Sequence, residues 1–158
     1  LEHLRQTYLR TYDGTFHTMV TLGQPEAYAR LTELSSRILD ELGDRDLLQS
    51  NSDLSVMYFN ALRIMDSYKA FVALVAQQTG GVFKMAPLKK LFRTVEKTAI
   101  RPEKLRYNTD RILDLVRGTI EYTTVEQMRQ GLQTIWEHKD FEMLRLKDRL
   151  QNPTPGAS

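Results

Sequence analysis

The 158-residue chain contains no cysteine, which excludes disulfides, thiol nucleophiles and thiolate metal sites. Its three histidines, His3, His17 and His138, are scattered and do not compose a histidine metal cage. No apolar run approaches the ~18 residues that a membrane-spanning helix needs, and no signal peptide is visible. Gly80-Gly81 follows a helical segment rather than a strand, which excludes the P-loop and Rossmann phosphate fingerprints. A nucleophile elbow is missing, and no carboxylate pair stands at general-acid and general-base spacing. An excess of one charge is missing too. The 22 basic residues nearly balance 20 acidic ones, for a formal net charge of +2 and a pI of about 8.9. That excess is too mild for a whole-chain nucleic-acid argument, so DNA is not an expected partner and any basic site must be local. The absence of cysteine leaves the redox compartment open. The expectation is a soluble, intracellular protein without a membrane partner.

What is present is enough apolar material, 41% against 27% charged, to bury one sizeable core in one domain or one domain plus an appendage. Residues 1–80 read as helical. Leu1, Leu4, Tyr8 and Tyr12 recur at helical spacing before the Asp13-Gly14 turn signal. A second helix opens at Pro25, carries Tyr28, Leu31, Ser35, Ile38 and Leu42 as a stripe, and ends at Gly43. A third, from about Leu54 to Gln78, aligns Met57, Tyr58, Ala61, Leu62, Met65, Tyr68, Val72 and Val75 on one face and stops at Gly80-Gly81. A Met and aromatic stripe at this spacing is core.

Residues 81–150 change period. Pro87 opens a helix expected to bury Leu88, Leu91, Phe92 and Val95, leaving Lys89, Arg93 and Lys97 as a cationic stripe on the other side. On the residues alone, that stripe also reads as a solvated face with Glu96 as partial compensation. Residues 115–122 read as a buried strand, with Asp114 at its entrance and Arg117-Gly118 inside it, where glycine marks close approach of a backbone or a ligand. A helix follows, with Thr124 and Gln127 or Thr123 and Glu126 as its capping box and Met128, Leu132, Ile135 and Trp136 as its buried face. His138 near its end suits the helix dipole. Residues 143–149 alternate as a second strand, Leu144 and Leu146 on one side and Met143, Arg145 and Lys147 on the other, paired in one sheet with 115–122. Residues 151–158, with two prolines and a glycine, form a loop or mobile tail. The fold class is therefore α+β: a helical region followed by a helix-strand-helix-strand unit.

Across residues 83–156, "FKMAPLKKLFRTVEK", "DRILDLVRGTIEY" and "RLKDRLQNPTPG" together resemble the RelA/SpoT nucleotidyltransferase-type domain of the alarmone synthetases. In that family a basic helix precedes a strand headed by a functional aspartate, and a helix and second strand lead to a Lys-Asp pair and a Pro-x-x-Gly-type loop. The resemblance implies pyrophosphoryl transfer from ATP to a nucleotide hydroxyl. Such chemistry needs a carboxylate for Mg²⁺ and cations for the triphosphate. It places Asp114 as the catalytic and metal-binding acid, and Lys84, Lys89, Arg93, Lys97 and Lys147 as nucleotide-binding cations, with Mg²⁺ and a nucleoside triphosphate as cofactors.

The pattern also departs from the family. The family strand carries glycine three residues after the aspartate and arginine five after it, whereas this chain carries Arg117, Gly118 and Thr119 at three, four and five. The loop glycine is normally followed within a residue by a base-stacking tyrosine, yet Gly156 is followed by Ala157 and Ser158. The family's second metal-binding acid has no counterpart. The residues themselves also allow Asp114 to be a helix-to-strand cap paired with Arg111 or Arg117. The chain begins at Leu1 rather than Met and is read as a fragment or processed piece. Its two strands would leave open edges, so further strands are expected from beyond Ser158 or from a partner chain, and the isolated chain is expected to be poorly stable or to self-associate. The expected function is a non-catalytic, degenerate RelA/SpoT-like piece that serves as a structural or interaction part of a larger protein or assembly. The alternative is a nucleotide-binding pyrophosphokinase-like domain once its missing half is supplied.

Overall fold

A computed structural model describes Gly14, residues 17–103 and residues 106–151. The first expected helix, around Leu4 and Tyr8, and the tail over 152–158 lie outside the described residues. Within them are four α-helices and a two-stranded antiparallel sheet: α1 (Pro25–Leu42), α2 (Leu54–Thr79), β1 (Val82–Met85), α3 (Leu91–Ala99), β2 (Gly118–Glu121) and α4 (Val125–Trp136). His17–Leu22 forms a π-helical turn ahead of α1. The class is α+β and helix-dominated, as expected. The chain divides into two compact units, Leu1–Gly43 with Tyr122–Ser158, and Asp44–Glu121. The boundary expected near residue 80 thus lies inside the second unit.

In the first unit, α1 has proline in its opening turn and ends at Gly43, whose φ of 60° suits only a residue without Cβ and whose N–H reaches the Leu39 carbonyl at 3.0 Å. Ala27, Leu31, Leu34, Ile38 and Leu42 are buried along one stripe. Against them pack Met128 and Leu132 of α4, then Trp136, Met143 and Leu146 further along. Helix α4 starts at a full capping box: Thr124 Oγ1 accepts from the Gln127 N–H, and the Gln127 side chain reaches the Thr124 N–H. Residues 141–148 form no strand. Met143 and Leu146, three apart, pack inward while Leu144 is exposed, so the two-residue alternation that predicted a strand is not the pattern of burial. An ion-pair cluster also laces this unit: Glu126 accepts from Arg129 at 2.7 Å and from Arg30 at 3.2 Å. Arg129 foremost, against some opposing burial, lowers the Glu126 carboxyl to about 2. Its folded-state pKa is depressed, so its contribution to stability is complete above the ordinary carboxylate range and is lost as pH falls from about 4.5 through about 2. Acid titration monitored by circular dichroism should show Glu126→Gln losing stability less steeply than wild type across that window. Parallel curves would contradict this.

In the second unit, α2 is capped by Asp53, which accepts from the Ser55 N–H at 2.7 Å, and closed by Gly80 in the left-handed region. Met57 and Ala61 of α2 pack on Ile112 and Leu115. Leu62, expected on this buried face, is exposed. The sheet differs from expectation in its partner. β2 occupies only the second half of residues 115–122 and pairs with β1, in the register Phe83 opposite Ile120 and Met85 opposite Gly118. The sequence reading missed β1 because four residues between Gly80-Gly81 and Pro87 carry little local signal, and their partner is more than thirty residues away. Gly118 does mark a close approach, although not of a backbone. A Cβ there would lie 2.8 Å from a ring carbon of Phe83 and 3.2 Å from the Tyr68 hydroxyl, which accepts from the Gly118 N–H. Gly118→Val should therefore cost about 1–3 kcal/mol in urea unfolding, as overpacking does, even though valine favours strands. A gain in stability would contradict this packing.

Candidate functional site

Two backbone bonds extend the β1–β2 pairing past the strand ends: Ala86 N–H to the Arg117 carbonyl at 3.2 Å, and Lys89 N–H to the Leu115 carbonyl at 3.0 Å. This zipper holds Lys89 one residue from Asp114. Across from it, the Tyr58 hydroxyl of α2 donates to the Lys89 carbonyl at 2.6 Å and lies 2.8 Å from Thr94 Oγ1 of α3. Thr94 and Thr98 are buried, with Thr98 Oγ1 satisfied by the Val95 carbonyl. These contacts turn α3 so that Lys97 faces Asp114. The face expected to be buried is turned outward: Leu91, Phe92 and Val95 are exposed, Phe92 at 74%. Short hydroxyl side chains that find internal hydrogen bonds displaced larger apolar ones from the inner face, and periodicity carries no information about such partners.

The resulting cluster is Lys89, Lys97 and Asp114. Lys89 Nζ donates to both carboxylate oxygens of Asp114 at 3.0 Å, and Lys97 Nζ donates to Oδ2 at 2.9 Å. The Lys89 side chain is only 8% exposed, that of Asp114 38%. Burial opposes ionisation of Asp114, yet the hydrogen bonds from Lys97 and Lys89 outweigh it and hold the carboxyl below its usual range. Burial likewise lowers the Lys89 ammonium, with Asp114 pulling back the other way. A carboxylate so stabilised is a weak base, and one whose two oxygens already accept three hydrogen bonds from two ammonium groups has little capacity left for a cation. Among the described residues, no group of three or more acidic or histidine side chains is arranged to hold a metal ion.

The other predicted site residues lie elsewhere. Arg93 is exposed and pairs with Glu96 at 2.6 Å, in line with the solvated-face reading for that one residue. Lys84 pairs with Glu121 across the sheet at 2.6 Å. Lys147 belongs to the first unit, where it lines a cavity. The capping alternative for Asp114 named the wrong partners, since Arg111 grips Asp46 with both terminal nitrogens instead. Sequence reasoning missed the residues that fix the Asp114 segment. The Arg101 guanidinium donates to the Asn108 and Arg111 carbonyls at 2.8 and 3.0 Å, and the Gln49 side chain donates to the Ile112 carbonyl at 2.7 Å. All of these are side chain-to-backbone bonds without a sequence period. No family model, curated protein or solved structure matches the chain.

Proposed function

We propose that this chain is a non-catalytic interaction module, a degenerate RelA/SpoT-like piece whose former site chemistry has become internal structure. The observation that carries this reading is the orientation of α3. Its Thr94 and Thr98 are buried and its Lys97 joins Lys89, just ahead of the helix, in neutralising Asp114, while its apolar side chains Leu91, Phe92 and Val95 are left exposed, continued by exposed Ile100. An apolar stripe of this kind on an otherwise satisfied helix is a helix-docking surface for a protein partner. The pyrophosphokinase alternative is supported by the convergence of two of the five expected cations, Lys89 and Lys97, on the expected metal-binding acid, but it needs Asp114 free to hold Mg²⁺.

Melting and sedimentation separate the two. In isolation, wild type should associate with rising concentration through the exposed stripe. Phe92→Glu should remove that association while moving stability by no more than about 0.5 kcal/mol, as surface substitutions do. Millimolar Mg-ATP or Mg-GTP should leave the melting temperature unchanged. A nucleotide-dependent rise that Lys97→Gln abolishes would overturn the interaction reading in favour of the nucleotide site, since ligand at about 100 times its dissociation constant adds roughly 2.7 kcal/mol.

A further inference from the structure

The first unit contains a cavity of about 280 Å³ that no element of the proposed function uses. Its walls are Leu31 of α1, Met128 and Leu132 of α4, and Leu146 and Leu150 of the segment that follows. That is roughly twice the ~150 Å³ apolar cavity that accepts benzene, enough for a medium-length alkyl chain or a bicyclic ring. Ser35 and the Asp148 carboxylate also lie in the wall. The carboxylate oxygens are fully engaged: Oδ2 accepts from buried Ser35 Oγ at 2.6 Å and from Gln151 Nε2 at 2.8 Å, and Oδ1 accepts from the Leu150 and Gln151 N–H groups at 3.0 Å. Asp148 therefore has no acceptor capacity left for a ligand donor. The groups on either side of it in the chain do have capacity. Lys147 and Arg149 also line the cavity, are exposed, and take part in no ion pair among the described residues. With Asp148 counted, the polar edge carries a net positive charge.

We propose that this cavity binds a free medium-chain carboxylate, its alkyl chain among the five apolar residues and its head group at Lys147 and Arg149. An apolar interior with few polar groups that fix orientation is the usual composition of a small-ligand site, and a carboxylate is the head group that guanidinium and ammonium donors recognise. The inference is independent of the α3 surface and of Asp114, both in the other unit.

The single tryptophan is a reporter, because Trp136 packs in the same cluster as Leu132 and Leu146. Titration with monomeric decanoate should give a saturable change in Trp136 emission. Decyltrimethylammonium, with the same chain length and opposite charge, should bind about tenfold more weakly or worse, since like charge at the edge is repulsive. In the Lys147→Glu/Arg149→Glu double variant the order should reverse, while decanol binds equally to both proteins. The wild-type comparison stands even if the variant fails to fold. No saturable response to decanoate, or equal affinity for decanoate and decyltrimethylammonium in wild type, would overturn the proposal, as would binding to anionic lipid vesicles that excess decanoate does not compete away.

Discussion

Asp114→Ala should destabilise the protein by about 2–3 kcal/mol in urea unfolding at neutral pH, because it strands the Lys89 ammonium where water scarcely reaches it. Removing one partner of a fully buried pair typically costs ~3–5 kcal/mol; the value expected here is lower because Asp114 is 38% exposed and Lys97 more so, and solvent screens part of the interaction. Adding Lys89→Met to Asp114→Ala should recover most of the loss, since the buried position then holds an apolar side chain of similar length and no unpaired charge. A carboxylate evolved to wait for a metal would behave in the opposite way. Its removal would relieve a costly partly buried charge, and Asp114→Ala would be neutral or stabilising.

The second large effect lies two residues earlier. Ile112 has no solvent exposure and packs between Met57, Ala61 and Leu115, so Ile112→Ala should cost about 3–4 kcal/mol, with Ile112→Val near 1 kcal/mol as the graded control. The same residue's carbonyl accepts from Gln49, which ties the Asp114 segment to the loop ahead of α2. The cavity should be felt because packed interiors relax only partially around a lost side chain. Unfolding curves in urea measure both variants, and an Ile112→Ala cost below 1 kcal/mol would mean that this core is far looser than its burial indicates.

The elements that were legible in the sequence were those whose signals are local. Helix α1 was announced by Pro25 and Gly43, α2 by its long stripe and Gly80, and α4 by Thr124 with Gln127. Each rests on a cap or a period contained within a few residues. What escaped depended on partners distant in sequence. β1 is defined by residues 118–121, and the facing of α3 is decided by Tyr58 and Asp114 rather than by its own apolar pattern. The expected strand at 143–149 failed because Met143 and Leu146 meet α1 and α4 without a neighbouring strand. At the site, Asp114, Lys89 and Lys97 are in contact with one another, while Arg93, Lys84 and Lys147 have other surroundings. A charged residue announces its need for a partner in the sequence, but its choice among several opposite charges is made by the fold.

The most direct measurement is paramagnetic broadening by Mn²⁺, standing in for Mg²⁺, in amide spectra of the labelled protein with and without ATP. If Lys89 and Lys97 hold Asp114 as an internal clamp, the Asp114 and Leu115 amides should broaden no more than those beside exposed carboxylates such as Glu121. Selective loss of the Asp114 and Leu115 signals at low Mn²⁺, strengthened by ATP, would show a metal displacing the lysines and would contradict the non-catalytic reading.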